Sequence, residues 1–222
     1  MSRIIDLSMP ITEHFRWQPA LSFKGNLAAG DQYRITRINM SVHGFTHTDA
    51  QSHMMLDGPD MMAVPVERTV GDCAVVDLSD LQPNEAISAE RLAARAQHIK
   101  QHDLVLLRSC WDTQRDSNTP AYWRDAPYMT REAASWLLDK NIRAIAYDFP
   151  QDYPIRLLLD GQSAPFEEHV THDILLRNGV TMIEYLCNTA ELKNERTYLV
   201  ALPLKIPQAD GAPTRVIAIE QF

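Results

Sequence analysis

The chain has 222 residues, 45% of them hydrophobic, with a formal net charge of −8 and a sequence pI of about 5.4. That is enough apolar material for one sizeable core, and an acidic balance without a basic run argues against nucleic acid or an anionic membrane as a partner. Three widely spaced cysteines (Cys73, Cys110 and Cys187), no apolar leader and no membrane-length apolar run predict a cytoplasmic protein with free thiols.

In chain order, Arg3 to Leu7 is a short apolar run closed by Ser8 and Pro10, which predicts a first strand. Residues 12–29 carry Trp17, Pro19, Phe23 and Gly25 without a period and read as a long loop. Tyr33 to Val42 alternates like a strand, but its phase slips between Ile35 and Ile38, which a bulge near Arg37 would explain. Thr46 to Ala50 continues extended, so His47 and Asp49 share a face, and Gly44 permits a tight turn after His43. Gly58-Pro59 marks another turn, and Cys73 to Leu78 reads as a buried strand.

Ser88 to Lys100 reads as a helix with Ser88 as N-cap. Leu104 to Leu107 is a strand, and Asp112 to Pro127 reads as a polar, aromatic loop. Thr130 caps a second helix ending near Asn141; Ile142 to Tyr147 is a strand; Phe149 to Glu167 is a Pro-interrupted loop. Glu168 to Arg177 is a third helix, closed by Asn178-Gly179, and Val180 to Leu186, Thr197 to Leu202 and Thr214 to Ile219 complete the strands. With no repeat or linker visible, residues 1–222 are expected to form one mixed α/β domain, strand-rich with about three main helices.

Chemistry concentrates in residues 41–53, where His43, His47 and His53 flank Asp49. Imidazole and carboxylate together suit a borderline divalent cation. His43, His47 and Asp49 can converge on one ion, Asp49 has an oxygen to spare for a second, and His53 is a further ligand or a general base. The competing reading is a polar loop with exposed histidines. His98 and His102 have the same four-residue spacing as His43 and His47, but they sit on the last turn of a predicted helix without a carboxylate and read as a solvated helix end. Glu184 shares the parity of Val180 and Met182; a core-facing carboxylate is costly unless paired or metal-bound, and otherwise this parity faces solvent. His169 and His172 precede it on a predicted helix, and periodicity does not choose between them. Asp148, Asp152 and Tyr153 follow a strand end, where site residues are common, though packing or capping explains them as well, as it does Arg108 and Trp111. Cys110 and Cys187 lie beside apolar runs and read as core thiols.

These residues also carry a resemblance. His43-Gly44-Phe45-Thr46-His47-Thr48-Asp49-Ala50-Gln51-Ser52-His53 matches, at its four chemical positions, the pattern His-x-Gly-Thr-His-x-Asp-x-Pro-x-His of the metal-dependent cyclase hydrolases, a family that includes bacterial kynurenine formamidase and isatin hydrolase. Downstream, His172, Gly179 and Ile183-Glu184-Tyr185-Leu186 resemble its His…Gly…Ile-Glu-Asn-Leu pattern, which selects His172 over His169. Asp6-Leu7-Ser8-Met9-Pro10-Ile11, Arg108-Ser109-Cys110-Trp111-Asp112 and Tyr147-Asp148-Phe149-Pro150 extend the resemblance over most of the chain, while Phe45 and Gln51 replace a glycine and a proline.

The resemblance implies a swivelling β/β/α fold in homodimers or larger homo-oligomers. It implies Zn²⁺ or Mn²⁺, one or two per subunit, with His43, His47 and Asp49 at one ion and Asp49, His172 and Glu184 at the other. His53 is then the proton carrier. The implied substrate is a small-molecule amide, foremost an aryl formamide such as N-formylkynurenine; a cyclic amide of the isatin type and a non-catalytic binding role are the alternatives. Trp17, Phe45 and Gln51 are expected beside the metal. Met54, Met55 and Met61 either join that pocket wall or pack the core.

Overall fold

The computed structural model describes residues 2–221. Its strands in chain order are β1 (Ser2–Asp6), β2 (Ala20–Gly25), β3 (Ile35–Asn39), β4 (His47–Asp49), β5 (Val70–Asp77), β6 (Ala86–Ile87), β7 (Leu104–Arg108), β8 (Tyr128–Met129), β9 (Ala144–Tyr147), β10 (Thr181–Glu184), β11 (Arg196–Pro203) and β12 (Gly211–Gln221). The helices are α1 (Ala89–Arg95), α2 (Trp111–Gln114), α3 (Pro120–Arg124), α4 (Arg131–Asp139), α5 (Ile155–Leu158) and α6 (Val170–Ile174).

The apolar runs of β5, β7, β9 and β10 form the parallel centre of the main sheet, as expected for strands covered on both faces. β11 adds antiparallel to β5, β12 to β11, and β1 to β12. On the other side β4 adds antiparallel to β10 and also pairs with the start of β12, so the sheet closes on itself. Alternation along each strand then divides the core in two. Cys73, Val75, Leu104, Leu106, Ala144, Ala146, Ile183 and Leu199 point one way, into the ring of strands. Ala74, Val76, Val105, Leu107, Ile145 and Met182 point outward and pack under α1 and α4 with Leu92, Ala133 and Leu137. This is the strand-rich α/β architecture expected from the residues, and the β/β/α type that the resemblance implies. No helix is long and apolar enough to cross a membrane among the described residues.

The caps fall where the sequence puts them. Ser88 Oγ accepts from Arg91 N at 3.2 Å, and Thr130 Oγ1 accepts from Ala133 N at 3.3 Å. After α6 the chain tightens into a 3₁₀ turn, Leu176–Asn178, and reverses at Gly179 with φ +84°.

Several expectations need correction. Residues 12–29 are not all loop, since β2 lies within them and pairs with β3; the register shift falls between Phe23 and Gly25, not near Arg37. This hairpin stands outside the main sheet with Leu21, Phe23 and Ile38 exposed, so no burial rhythm marked β2. α1 stops at Arg95, which leaves His98 and His102 outside it: His98 Nε2 lies 3.0 Å from Val75 O, and His102 takes a left-handed backbone conformation. α2 and α3 lie in one expected loop and α5 in another; helices of four or five residues are too short to show a period. Cys73 is fully buried, whereas Cys110 and Cys187 are only half-buried.

Candidate metal centre

The site forms where β4 closes the sheet. Register places His47 opposite Glu184 of β10 and Pro213 of β12, and Asp49 opposite Met182 and Gly211. The two-residue period turns His47 and Asp49 to one face, with His47 Nε2 3.1 Å from Asp49 Oδ1 and 3.7 Å from Glu184 Oε2. His43 reaches the same carboxylate through the turn in which Gly44 N donates to Ser41 O; its Nδ1 is 2.9 Å from Asp49 Oδ1. His53 arrives on the 3₁₀ turn Gln51–His53, with its ring centroid 4.0 Å from that of His43. His172, on α6, points Nε2 at Asp49 Oδ2 (3.6 Å) and Glu184 Oε1 (3.5 Å).

His47, Asp49 and Glu184 are each at most 3% exposed. Their electrostatics are those of a dry, mutually dependent cluster. Burial works against the Asp49 carboxylate, but the charge of His47 and the contacts of His172, His43 and His47 overcome it and hold the group well below its usual range. Glu184 goes the other way, raised by burial and by the neighbouring Asp49 charge. Burial opposes the His43 cation, yet Asp49 and Asp210 outweigh it and raise its pKa to about 9. His53, by contrast, is held below the ordinary imidazole value by burial.

These residues fit a divalent cation. Asp49 Oδ2 is buried without a hydrogen-bond partner, an arrangement that native proteins rarely tolerate. Potential ligand atoms gather within 4.8 Å of one another in two overlapping groups, His43, Asp49 and His53, and His47, Asp49 and Glu184. The nitrogen and oxygen donor set suits a borderline divalent cation. The grouping differs from the one implied by resemblance. His53 falls with His43 rather than standing apart, and His172 is in neither group, with its Nδ1 engaged by Asp152 Oδ2 at 2.6 Å.

A cavity of about 460 Å³ opens over the cluster, walled by Met54, Pro150, Ile155, Leu158, Phe166 and Tyr185. Trp17 and Phe45 do not line it. Trp17 packs against Tyr185 and Phe45 against Trp17, with tilted rings whose centroids are 5.4 Å and 4.6 Å apart. Phe45 occupies the pattern's glycine position at φ +60°, a conformation that disfavours a β-carbon by about 1–2 kcal/mol; the burial of its ring offsets that cost. Gln51 faces away too, donating to Arg177 O at 3.0 Å and lining a smaller cavity with Pro59 and Arg68. Met61 packs against Ala50 and Ala212, and Met55 Sδ lies near the Gln51 amide, so only Met54 of the three methionines reaches the cavity wall.

The structure also brings in residues that the sequence did not single out for the site. Asp210 Oδ2 lies 2.9 Å from His43 Nε2 and 3.4 Å from His53 Nδ1, and the Gln151 amide donates to Glu184. Asp152 was visible as a strand-end carboxylate, but its contact with His172 was not. Asp210 gave no signal, because it joins the site only through the pairing of β12 with β4.

The model of the family described as putative cyclase matches residues 5–151. A kynurenine formamidase of Bacillus cereus is 28% identical over 223 residues, covering 97% of each chain. Among solved structures, isatin hydrolase A from Labrenzia aggregata superposes with a TM-score of 0.83 at 26% identity, over 98% of this chain and 93% of that one. A predicted metal-dependent hydrolase from Bacillus stearothermophilus does so with a TM-score of 0.77 at 28% identity, over the whole of both chains. With the family model matching most of its length and these relatives matching nearly all of it, the chain belongs to the cyclase family of hydrolases.

Proposed function

We propose that this protein is a metal-dependent amide hydrolase whose substrate is an aryl formamide, with N-formylkynurenine the foremost example. The observation that carries the reading is the Asp49 carboxylate, buried among imidazoles with one oxygen left unanswered. Zn²⁺ or Mn²⁺, one or two ions per subunit, would be held by His43, His47 and Asp49 and by Asp49, His172 and Glu184. Bound there, such an ion supplies a Lewis acid for the amide carbonyl and lowers the pKa of water towards about 7.

The chain's own residues do the rest. Asp152 accepts from Nδ1 of His172, which leaves Nε2 as the nitrogen facing Asp49 and Glu184. Asp210, placed to accept from Nδ1 of His53, turns that ring's Nε2 towards the cavity. Burial keeps His53 neutral near pH 7, so it takes a proton from the attacking water and returns it to the leaving nitrogen. The apolar wall formed by Ile155, Leu158, Phe166 and Tyr185 accommodates an aryl group and limits bulk water. The likeness to isatin hydrolase A supports cyclic amides as the second substrate class. The exposed apolar side chains of the β2–β3 hairpin support a homodimer or larger homo-oligomer, and the protein is proposed to act in the cytoplasm.

The test is to offer the metal-loaded protein N-formylkynurenine, simple formanilides and isatin, and to measure formate and isatinate. Stoichiometric formate release is the expected result. Tight metal binding without hydrolysis of any formamide, lactam or ester would instead make this a binding protein.

Gly211 offers a separate check on the ligand set. A β-carbon there would lie 2.8 Å from His43 Cε1 and 3.1 Å from Thr48 O, so Gly211→Ala must displace the His43 ring. Metal affinity should fall about 10- to 100-fold, as for other disturbances around a metal ligand. Competition with a chromogenic chelator measures it, and circular dichroism checks that the fold is kept.

A further inference from the structure

Arg16 is the one arginine or lysine lining the cavity, and no acidic side chain answers it. Half-buried arginines elsewhere are engaged: Arg91 with Asp80 and Glu85, Arg108 with Asp77, Arg115 with Asp125, and Arg196 with Asp103. Among the described residues the Arg16 guanidinium has neither an ion pair nor a hydrogen bond.

It is nevertheless held in place. Its guanidinium carbon stacks 4.4 Å from the centre of the Trp123 ring. The segment bearing it is tied down just before the residue and at its own amide. His14 Nε2 lies 3.0 Å from Ser117 O, Phe15 N donates to Asn118 Oδ1 at 2.8 Å, and Arg16 N donates to His14 Nδ1 at 3.2 Å. A stacked guanidinium leaves its edge donors free, and that edge matches the two oxygens of a carboxylate. The histidine and carboxylate cluster lines the same cavity, together with apolar side chains.

We propose that Arg16 receives a carboxylate carried by the substrate away from its scissile amide, so that the preferred substrates are anionic aryl amides. The assignment rests on the hydrolase reading given above for this site. Arg16 is a binding residue: it fixes which end of the substrate faces the metal centre and takes no part in proton transfer.

The experiment compares two formanilides, one bearing a propanoate chain and the other the corresponding carboxamide, on wild type, Arg16→Gln and Arg16→Lys. Wild type should prefer the anion in kcat/KM. Arg16→Gln should lower that preference about 10- to 100-fold, the range of a lost charge-assisted hydrogen bond, and do so mainly through KM. Arg16→Lys should restore part of it. A preference in Arg16→Gln within about twofold of wild type overturns the proposal, because a charge-assisted contact contributes more than that. If wild type hydrolyses neither compound, the hydrolase reading fails by itself. The binding assignment is then decided by calorimetry with phenylpropanoate: weaker binding to Arg16→Gln supports it, and equal affinity for both proteins overturns it.

Discussion

Replacing His53 by alanine is expected to lower kcat by about 10²- to 10⁴-fold, the usual contribution of a positioned acid–base group, while metal content stays at the wild-type level. The ring stands beside His43 at 4.0 Å and beside His172 at 5.5 Å, close enough to the cluster to reach a water there. Its nitrogens also fall in one of the two ligand groups, so metal analysis has to accompany the kinetics. Metal lost in proportion to activity would make His53 a ligand. The pH profile supplies a second readout. A base must be neutral to accept a proton, and burial holds His53 below the ordinary 6.5. Activity should therefore fall only as the pH drops below that value, and this acid limb should vanish from the residual activity of His53→Ala.

Exhaustive chelation should abolish turnover, and Zn²⁺ or Mn²⁺ should restore it. Imidazolium protons and a divalent cation are alternative ways to neutralise the same buried carboxylates, so uptake of the ion must release protons. His43 shows the sign. With its pKa raised to about 9 it is protonated at neutral pH in the metal-free protein, and it must lose that proton to become a ligand. Apparent metal affinity should therefore rise with pH below about 9, by up to about tenfold per pH unit for each proton displaced. Calorimetry in buffers of different ionisation enthalpy counts those protons directly. Loading should also add about 2.7 kcal/mol of stability at a free ion concentration of 100 Kd, seen as a raised Tm. Activity that survives complete chelation would remove the metal from the mechanism.

What was legible in the sequence was local. His47 and Asp49 share a face because two residues separate them on a strand, and Glu184 betrayed itself by its parity among buried apolar residues. Asp210 and Gln151 were not legible, since they meet His43, His53 and Glu184 through strand closure and loop packing. The sequence suggests Trp17 and Phe45 for the pocket because aromatic residues near a metal motif suit an aryl substrate. In the fold neither lines the cavity; Trp17 packs against Tyr185, which does. Of the β2–β3 hairpin only β3 was legible, inside the alternating run Tyr33 to Val42; Leu21 and Phe23 of β2 face solvent and carry no inside–outside rhythm.

β4 is three residues long, yet it is hydrogen-bonded to neighbours on both sides and completes the ring of strands. A strand so short has few bonds with which to latch, and the carboxylates it helps to bury repel one another. An ion drawn to Asp49 and Glu184 would act as a clasp on this latch. Amide hydrogen exchange should therefore be fastest in β4 and in its pairing segments of β10 and β12 when the protein is stripped of metal, and slow there once metal is added. The reaction's Lewis acid would then double as the fastener of the barrel, so that loss of metal loosens the very strand that presents its ligands.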